Sequence, residues 1–427
     1  MESPGKWDVV IIGGGPAGSC AGAYLARQGW RVCILEKCAF PRFRIGESLL
    51  PQGNTILQRI GVWEKFEQGG FLQKHGAEFT TPDRSHTVHN RFAVNGFVPG
   101  NPYTYQVERA RFDALLLDHA RACGCEVRME TAVTSVLRIG EGWKVDCRST
   151  GVDAILSCNW LLDASGREAC LARLMKHERE PLPYPKRIAV YAHYRGIPLQ
   201  AGTLSGNIVI TRLPGGWSWN IPLSAGKTSI GMVTLLSDFQ QHSLEPEVYF
   251  HKIRDGSPYL RDLMGNAERV GEVHTTADYS TMHREFTGEK HVLIGDAAAF
   301  IDPIFSSGLY LAMTSALEAA DLLLRAGKQG TLKPSTQRQY TARMKRRIRV
   351  MRDLIEAFYD DDGFAVFMRP TNRFGLFAGV GTVVAGNTDL TWNLRWRFEL
   401  FKLICRLNRR FHFVPRLDGR KGVVSRQ

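Results

Sequence analysis

Gly13, Gly15 and Gly18 form a GxGxxG turn between an apolar run, Trp7 to Gly13, and a helical segment, residues 17–28. The first glycine permits the tight turn. The second lets backbone approach a pyrophosphate, and the third lets the helix pack closely on the strand. The N–H groups at the helix start then meet phosphate oxygens. Arg31 to Leu35 reads as the next strand, and Glu36 follows Gly18 by 18 residues. A carboxylate there accepts hydrogen bonds from a ribose hydroxyl pair. A lone GxGxxG is a weak signal, but strand, turn, helix, strand and acid in this order predict dinucleotide binding. Gly379-Val380-Gly381 lacks the spacing and the flanking strands, so no second nucleotide module is expected.

The chain around this turn has 427 residues, a formal charge of +13 and 44% hydrophobic residues. That composition fits two or three folded domains and excludes an intrinsically disordered chain. Nine cysteines without a CxxC pair are too sparse for a disulfide scaffold or a metal site, so reduced thiols and a cytoplasmic protein are expected. No apolar stretch precedes Asp8 as a secretion signal would, and the Gly-rich run Phe374 to Gly386 is too short to span a bilayer. The charge is unevenly placed. Residues 331–427 hold 20 Lys and Arg against 8 Asp and Glu, whereas residues 1–330 hold 35 against 34. Such a basic segment is either a solvated helical face or a surface for an acidic partner, nucleic acid or anionic lipid.

Periodicity places the remaining elements. Residues 109–123 read as an amphipathic helix, 126–163 as strands, and Arg187 to about Leu235 as an antiparallel sheet. His291 to Gly295 reads as one more buried strand, followed by helices near 308–325, 334–360 and 391–411.

Three motifs together resemble the glutathione-reductase-like FAD proteins. They are the GxGxxG unit, Asp163-Ala164-Ser165-Gly166 after a strand, and Gly295-Asp296-Ala297-Ala298 between a strand and a helix. The resemblance implies an α/β fold in which a Rossmann-type FAD domain carries an inserted, mostly antiparallel sheet and a C-terminal helical segment. The expected boundaries are 1–185 and 271–330 for the FAD domain, 186–270 for the sheet and 331–427 for the basic helices. It also implies cofactor contacts at Gly13, Gly15, Ala17, Gly18, Glu36, Lys37, Arg44, Ser48, Arg109, Val133, Asp163, Asp296, Pro303 and Leu309. Asp296 would meet the ribityl chain. The dipole of the helix after it would stabilise an anionic reduced flavin.

Three further segments narrow the family. Phe40 to Ser48 (FPRFRIGES), Gly216 to Pro222 (GWSWNIP, containing WxWxIP) and Phe300 to Gly308 (FIDPIFSSG) resemble the flavin-dependent halogenases, pyrrole and phenol types above all. The resemblance covers nearly the whole chain. It implies that reduced FAD, supplied by a separate flavin reductase, reacts with O2 to a flavin hydroperoxide. Chloride or bromide is then oxidised to hypohalous acid, and a lysine presents that species to an electron-rich aromatic substrate, as in antibiotic biosynthesis and other secondary metabolism.

The matching lysine is Lys74 in Phe71-Leu72-Gln73-Lys74-His75-Gly76-Ala77. Backbone N–H groups at Ser307 and Gly308 are the expected halide site. Trp217 and Trp219, two apart on a strand, share one face, where they are either tunnel walls or plain core aromatics. Tryptophan halogenases carry a glutamate where this chain has Phe305, so a phenol or pyrrole is the expected substrate. His75, Glu47 and His193 are equal candidates for a general base. Pyrrole-type relatives act on substrates tethered to acidic acyl or peptidyl carrier proteins, which gives Arg343, Lys345, Arg346, Arg347 and Arg349 a docking role. No nucleic-acid motif accompanies the basic segment. The alternative on the same fold is an FAD-dependent monooxygenase or a reductase of lipid double bonds, which leaves WxWxIP and Lys74 without a task.

Overall fold

The computed structural model describes residues 6–95, 102–149, 151–277 and 280–417. Two seven-stranded sheets share most of one apolar core. The first runs in the order Glu126–Arg128, Val32–Leu35, Trp7–Ile12, Val152–Asp163, Gly142–Ser149, Thr131–Ile139, and His291–Leu293 also pairs with Val152–Asp163. Its central strands are unbroken apolar runs because both faces are covered.

Val152–Asp163 changes partners along its length. Its first half is antiparallel to Gly142–Ser149. Its last residues run parallel to Trp7–Ile12 on one side and to His291–Leu293 on the other. Ile12, Asp163 and Leu293 therefore lie in one row. The three motif loops leave the sheet side by side at the carboxyl ends of parallel strands, where ligands of such sheets bind.

The second sheet has the order Glu268–Ala277, Arg187–Arg195, Thr228–Leu235, Gly216–Pro222, Ile208–Leu213, Gly76–Thr80, Thr87–Arg91. All its pairings are antiparallel except that of Ile208–Leu213 with Gly76–Thr80. The expected sheet over 187–235 is present, but residues 76–91 also belong to it. That layer therefore draws strands from upstream of residue 186, because Gly76–Thr80 supplies a partner for the edge at Ile208–Leu213. Alternation separates its two faces. Phe79, Ile210, Trp219, Tyr191 and Ala189 join the core shared with the first sheet. Ile188, Val190, Ala192, Ile230 and Met232 pack under Tyr249, Phe250 and Leu260.

The long helices are Ser307–Ala326, Pro334–Tyr359 and Trp392–Phe411. Pro334 suits a first turn, whose N–H has no partner inside the helix. Among the described residues no helix is long and apolar enough to cross a membrane; Phe374 to Gly386 holds the end of a 3-10 turn and the short helix Leu376–Val384. All nine cysteines are free, as expected.

Much of the basic segment is neutralised within the fold. Arg347 is buried and pairs with Asp389 at 2.7 Å and Glu318 at 2.9 Å. Arg343 also reaches Glu318, and Lys345 pairs with Glu180. Of the five residues expected to dock a partner, only Arg346 and Arg349 are exposed. Residues 418–427 of the segment lie outside the described residues. Arg347→Ala should cost about 2 kcal/mol in urea unfolding, below the fully buried range because Asp389 stays in water. Arg346→Ala should change stability by less than about 0.5 kcal/mol in the same experiment.

Candidate active site

The nucleotide turn is closed by steric necessity. Gly13 has φ +105°, and a Cβ there would lie 2.4 Å from the Ala164 carbonyl oxygen. A Cβ on Gly18 would lie 1.9 Å from the Gly13 oxygen. Gly15 is different, since its nearest neighbour would be the Arg42 guanidinium at 3.5 Å. Protein contacts thus explain Gly13 and Gly18, whereas the close approach of a pyrophosphate explains Gly15. Glu36 is buried beside the turn and accepts the Gly14 N–H at 2.8 Å and the Cys38 N–H at 2.9 Å. Ala17 packs near Gly295, joining the first and last motifs. These residues fit FAD.

The remaining expected cofactor residues divide into two groups. Asp296 is half-buried, and burial raises its carboxyl to about 6 despite the opposing charges of Arg109 and Arg167. Arg109 heads the Arg109–Ala122 helix, donates to the Ile45 carbonyl at 2.7 Å and forks onto Asp113. Pro303 and Leu309 flank the loop before the Ser307–Ala326 helix.

A second group serves the fold around the site. Asp163 is fully buried and accepts from Ser165, Leu171 and Ala172, which shapes the 164–171 turn. Ser48 accepts a hydrogen bond from Lys74. Lys37 pairs with Glu168, and Val133 is half-buried beside Cys170. Arg44 is exposed.

Asp113, 0% exposed, was not foreseen, and neither was its second partner Arg42 at 2.9 Å. The Arg109–Asp113 spacing of four was a readable helical pair. Arg42 carried no comparable signal, because its loop reaches Asp113 only in three dimensions.

Lys74 ends the short strand Leu72–Lys74, which pairs with Thr104–Gln106. It is 1% exposed and donates to Ser48 Oγ at 2.8 Å and to the Leu49 carbonyl at 2.9 Å. Its ammonium also lies 5.5 Å from the centre of the Phe92 ring. No salt bridge involving Lys74 is found among the described residues. Burial pushes its pKa down to about 7.

Trp217 and Trp219 are both buried on the shared-core face of their strand, with ring centres 5.7 Å apart. Trp219 donates to Ser229 and lies flat over Gly231, where a Cβ would meet its ring at 2.1 Å. Trp217 donates to the Tyr359 hydroxyl, which donates to Asp302 at 2.7 Å. Burial lifts Asp302 to about 6. Asp302 also caps Ile304 N–H, so this chain of bonds ties the WxWxIP strand to the loop before Ser307.

Ser307 Oγ is buried without a hydrogen-bond partner among the described residues at the start of a 20-residue helix, and Gly308 beside it leaves Phe300 at 3.4 Å from a notional Cβ. Phe305 packs among Phe79, Phe358 and Phe367. Of the three general-base candidates, the structure joins two: Glu47 and His193 Nε2 lie 2.7 Å apart. The His75 ring instead packs near Tyr103.

The nucleotide cradle, the mixed first sheet and the second sheet define the fold of an FAD-dependent oxidoreductase. Residues 6–354 match the family model described as an FAD binding domain. A 1H-pyrrole-2-carbonyl-peptidyl-carrier-protein chlorinase of Pseudomonas fluorescens is 32% identical over 377 residues, covering 83% of this chain and 83% of that protein. The flavin-dependent brominase Bmp2 superposes with a TM-score of 0.85 at 28% identity, covering 95% of this chain and 100% of that one. A flavoprotein/dehydrogenase from Cytophaga hutchinsonii superposes with a TM-score of 0.87 at 27% identity, covering 95% and 99%. The chain belongs to the flavin-dependent halogenase family.

The Trp219–Gly231 contact yields a direct check. Gly231→Ala should destabilise the protein by about 1–3 kcal/mol, because the ring must move. Tryptophan fluorescence should shift in the native state, whereas Gly256→Ala, whose added Cβ would meet nothing closer than 3.5 Å, should leave the spectrum unchanged.

Proposed function

We propose that this protein halogenates an electron-rich phenol or pyrrole, with Lys74 presenting the halogenating species. The observation that carries this is a fully buried lysine whose two hydrogen bonds go to neutral oxygens. Burying an ammonium without a carboxylate is costly, and groups with strongly shifted pKa values concentrate at functional sites. Reduced FAD, delivered by a separate reductase, would supply oxygen activation that oxidises chloride or bromide to hypohalous acid. Ser307 and Gly308 N–H groups hold the halide without a charged side chain. Trp217 and Trp219 wall the passage and keep substrate from the flavin. Lys74 has one N–H beyond those given to Ser48 and Leu49, and this donor binds the hypohalous oxygen, making the halogen more electrophilic. Phe305 sits among apolar rings where no carboxylate can assist, which favours a substrate that its own hydroxyl or ring nitrogen activates.

The test supplies reduced FAD, O2 and bromide and reads the bromine isotope doublet in the aromatic product. Lys74→Met should still bind FAD and consume O2 while losing halogenation by a factor on the order of 10²–10⁴. Full retention of halogenation would remove the assignment. In the wild-type protein, the rate of substrate halogenation should fall as pH rises through about 7, where Lys74 loses its proton. A rate that instead rises through this pH would assign the step to the neutral amine as a haloamine.

The exposed cations Arg338, Arg346 and Arg349 line one helix and give the same reading a partner. An acidic carrier protein bearing the substrate docks there by charge complementarity. Reversing Arg346 and Arg349 to Glu should raise KM for a carrier-bound pyrrole by about tenfold or more and leave that for a free phenol unchanged.

A further inference from the structure

Buried carboxylates around the cofactor cradle have partners for both oxygens. Glu36 accepts two backbone N–H groups, Asp113 binds two arginines, and Asp163 is held by its own turn. Glu47 is the exception. It is 1% exposed, and its Oε1 lies 2.7 Å from His193 Nε2, but its Oε2 is buried with no hydrogen-bond partner among the described residues. An orphaned carboxylate oxygen costs the desolvation of a charged acceptor unless a donor arrives.

The surroundings indicate where such a donor comes from. The Glu47 carbonyl accepts the Val107 N–H at 2.7 Å, which fixes the backbone beside Arg109. Arg109 in turn binds the Ile45 carbonyl and interacts electrostatically with both Glu47 and Asp296. His193 lies on the face of its strand that carries Tyr191, and Phe43 packs against Tyr191, His193 and His274. Glu36 and the glycine turn account for the ADP half of the cofactor. Glu47 thus lies with Arg109 and Asp296, on the flavin side.

We propose that Glu47 and His193 form a cofactor-positioning pair, in which His193 Nε2 holds one carboxylate oxygen and the free Oε2 accepts a hydrogen bond from the flavin half of FAD. The ribityl hydroxyls and the flavin ring N–H are the donors available there. Ser48, the next residue, accepts from Lys74, so the pair fixes the backbone that carries the lysine's hydrogen-bond acceptor. The Glu47 hydrogen bond and charge raise the His193 pKa against the opposing effect of burial. Lys227 and Glu108, ion-paired with each other, act on His193 with opposite signs. Arg109 adds positive charge on the Glu47 side.

FAD binding covers the pair and makes Glu47 more dependent on the imidazolium, so it raises the His193 pKa further. By linkage, FAD affinity falls as pH rises between the free and bound pKa values, about tenfold per unit of difference. ADP, which fills only the glycine cradle, does not cover the pair.

The experiment measures FAD affinity by flavin fluorescence quenching, and ADP affinity by calorimetry, between about pH 7 and pH 9. FAD affinity should fall about tenfold or more over this range, with ADP affinity flat. His193→Gln should bind FAD more weakly at neutral pH and abolish the slope, while its ADP affinity stays at the wild-type value. Lys74 titrates in the same range, so Lys74→Met serves as the control and should keep the slope. The proposal is overturned by a flat wild-type FAD profile, by an equal slope for ADP, by a slope that survives in His193→Gln, or by one that vanishes in Lys74→Met. The wild-type FAD and ADP comparison decides the matter even if the histidine variant folds poorly.

Discussion

The parallel pairing of the last residues of Val152–Asp163 is the constraint on which the site rests. One strand holds Trp7–Ile12 on one side and His291–Leu293 on the other, so segments some 280 residues apart end in the same row. Ala164 N–H donates to the Ile12 carbonyl, and Ile294 N–H donates to the Asp163 carbonyl, both just beyond the strand ends. These bonds leave little freedom in the three loops. The contact between Gly13 and Ala164 is so close that neither loop can shift without the other. The inserted sheet can therefore vary its chemistry while the nucleotide cradle stays fixed.

The second constraint is electrostatic. The path from the cradle toward the inserted sheet contains several buried charges, and each is stabilised differently. Asp113 is neutralised by two arginines, one from its own helix and one from the 40–48 loop. Such a pair is weak evidence of net stability, yet removing one partner strands the other, so it locks the loop to the helix. Asp302 is held by Tyr359 and by backbone, and its raised pKa shows that burial outweighs those bonds. Lys74 has only neutral oxygens. Moving along this series, compensation declines, and Lys74 has the least.

Most of the fold was legible in the sequence because its signals are local. A glycine turn, a buried strand or an apolar face repeats within a few residues. The helix expected at 308–325 spans Ser307–Ala326, and that expected at 109–123 spans Arg109–Ala122. The assignment of Gly76–Thr80 and Thr87–Arg91 to the inserted sheet was not legible, since strand pairing across more than a hundred residues leaves no periodic trace. The same limit applies to the site. Lys74 was found by family likeness and not by spacing. The Arg42–Asp113 and Glu47–His193 pairs bring distant residues together, and no local pattern announces them. The basic segment was only partly legible for a related reason: counting charge does not reveal that Glu318, Asp389 and Glu180 already neutralise Arg343, Arg347 and Lys345.

Burial alone does not mark a lysine as functional, and this chain contains the comparison that shows it. Lys290 is as buried as Lys74, its pKa is also lowered, and it too sits near an aromatic ring, that of Trp160 at 5.1 Å. Lys290, however, precedes the His291–Leu293 strand and donates to the Gln329 carbonyl, at the end of the sheet away from the three motif loops. Charges of both signs act on it, Lys6 and Arg138 against Glu141 and Glu289. Lys74 stands instead between the 40–48 loop and the inserted sheet, and desolvation is the sole cause of its shift. A lysine whose charge is destabilised by solvent exclusion alone responds strongly to any polar molecule that enters beside it. That response, more than its depth, sets Lys74 apart from Lys290, which closes a sheet edge.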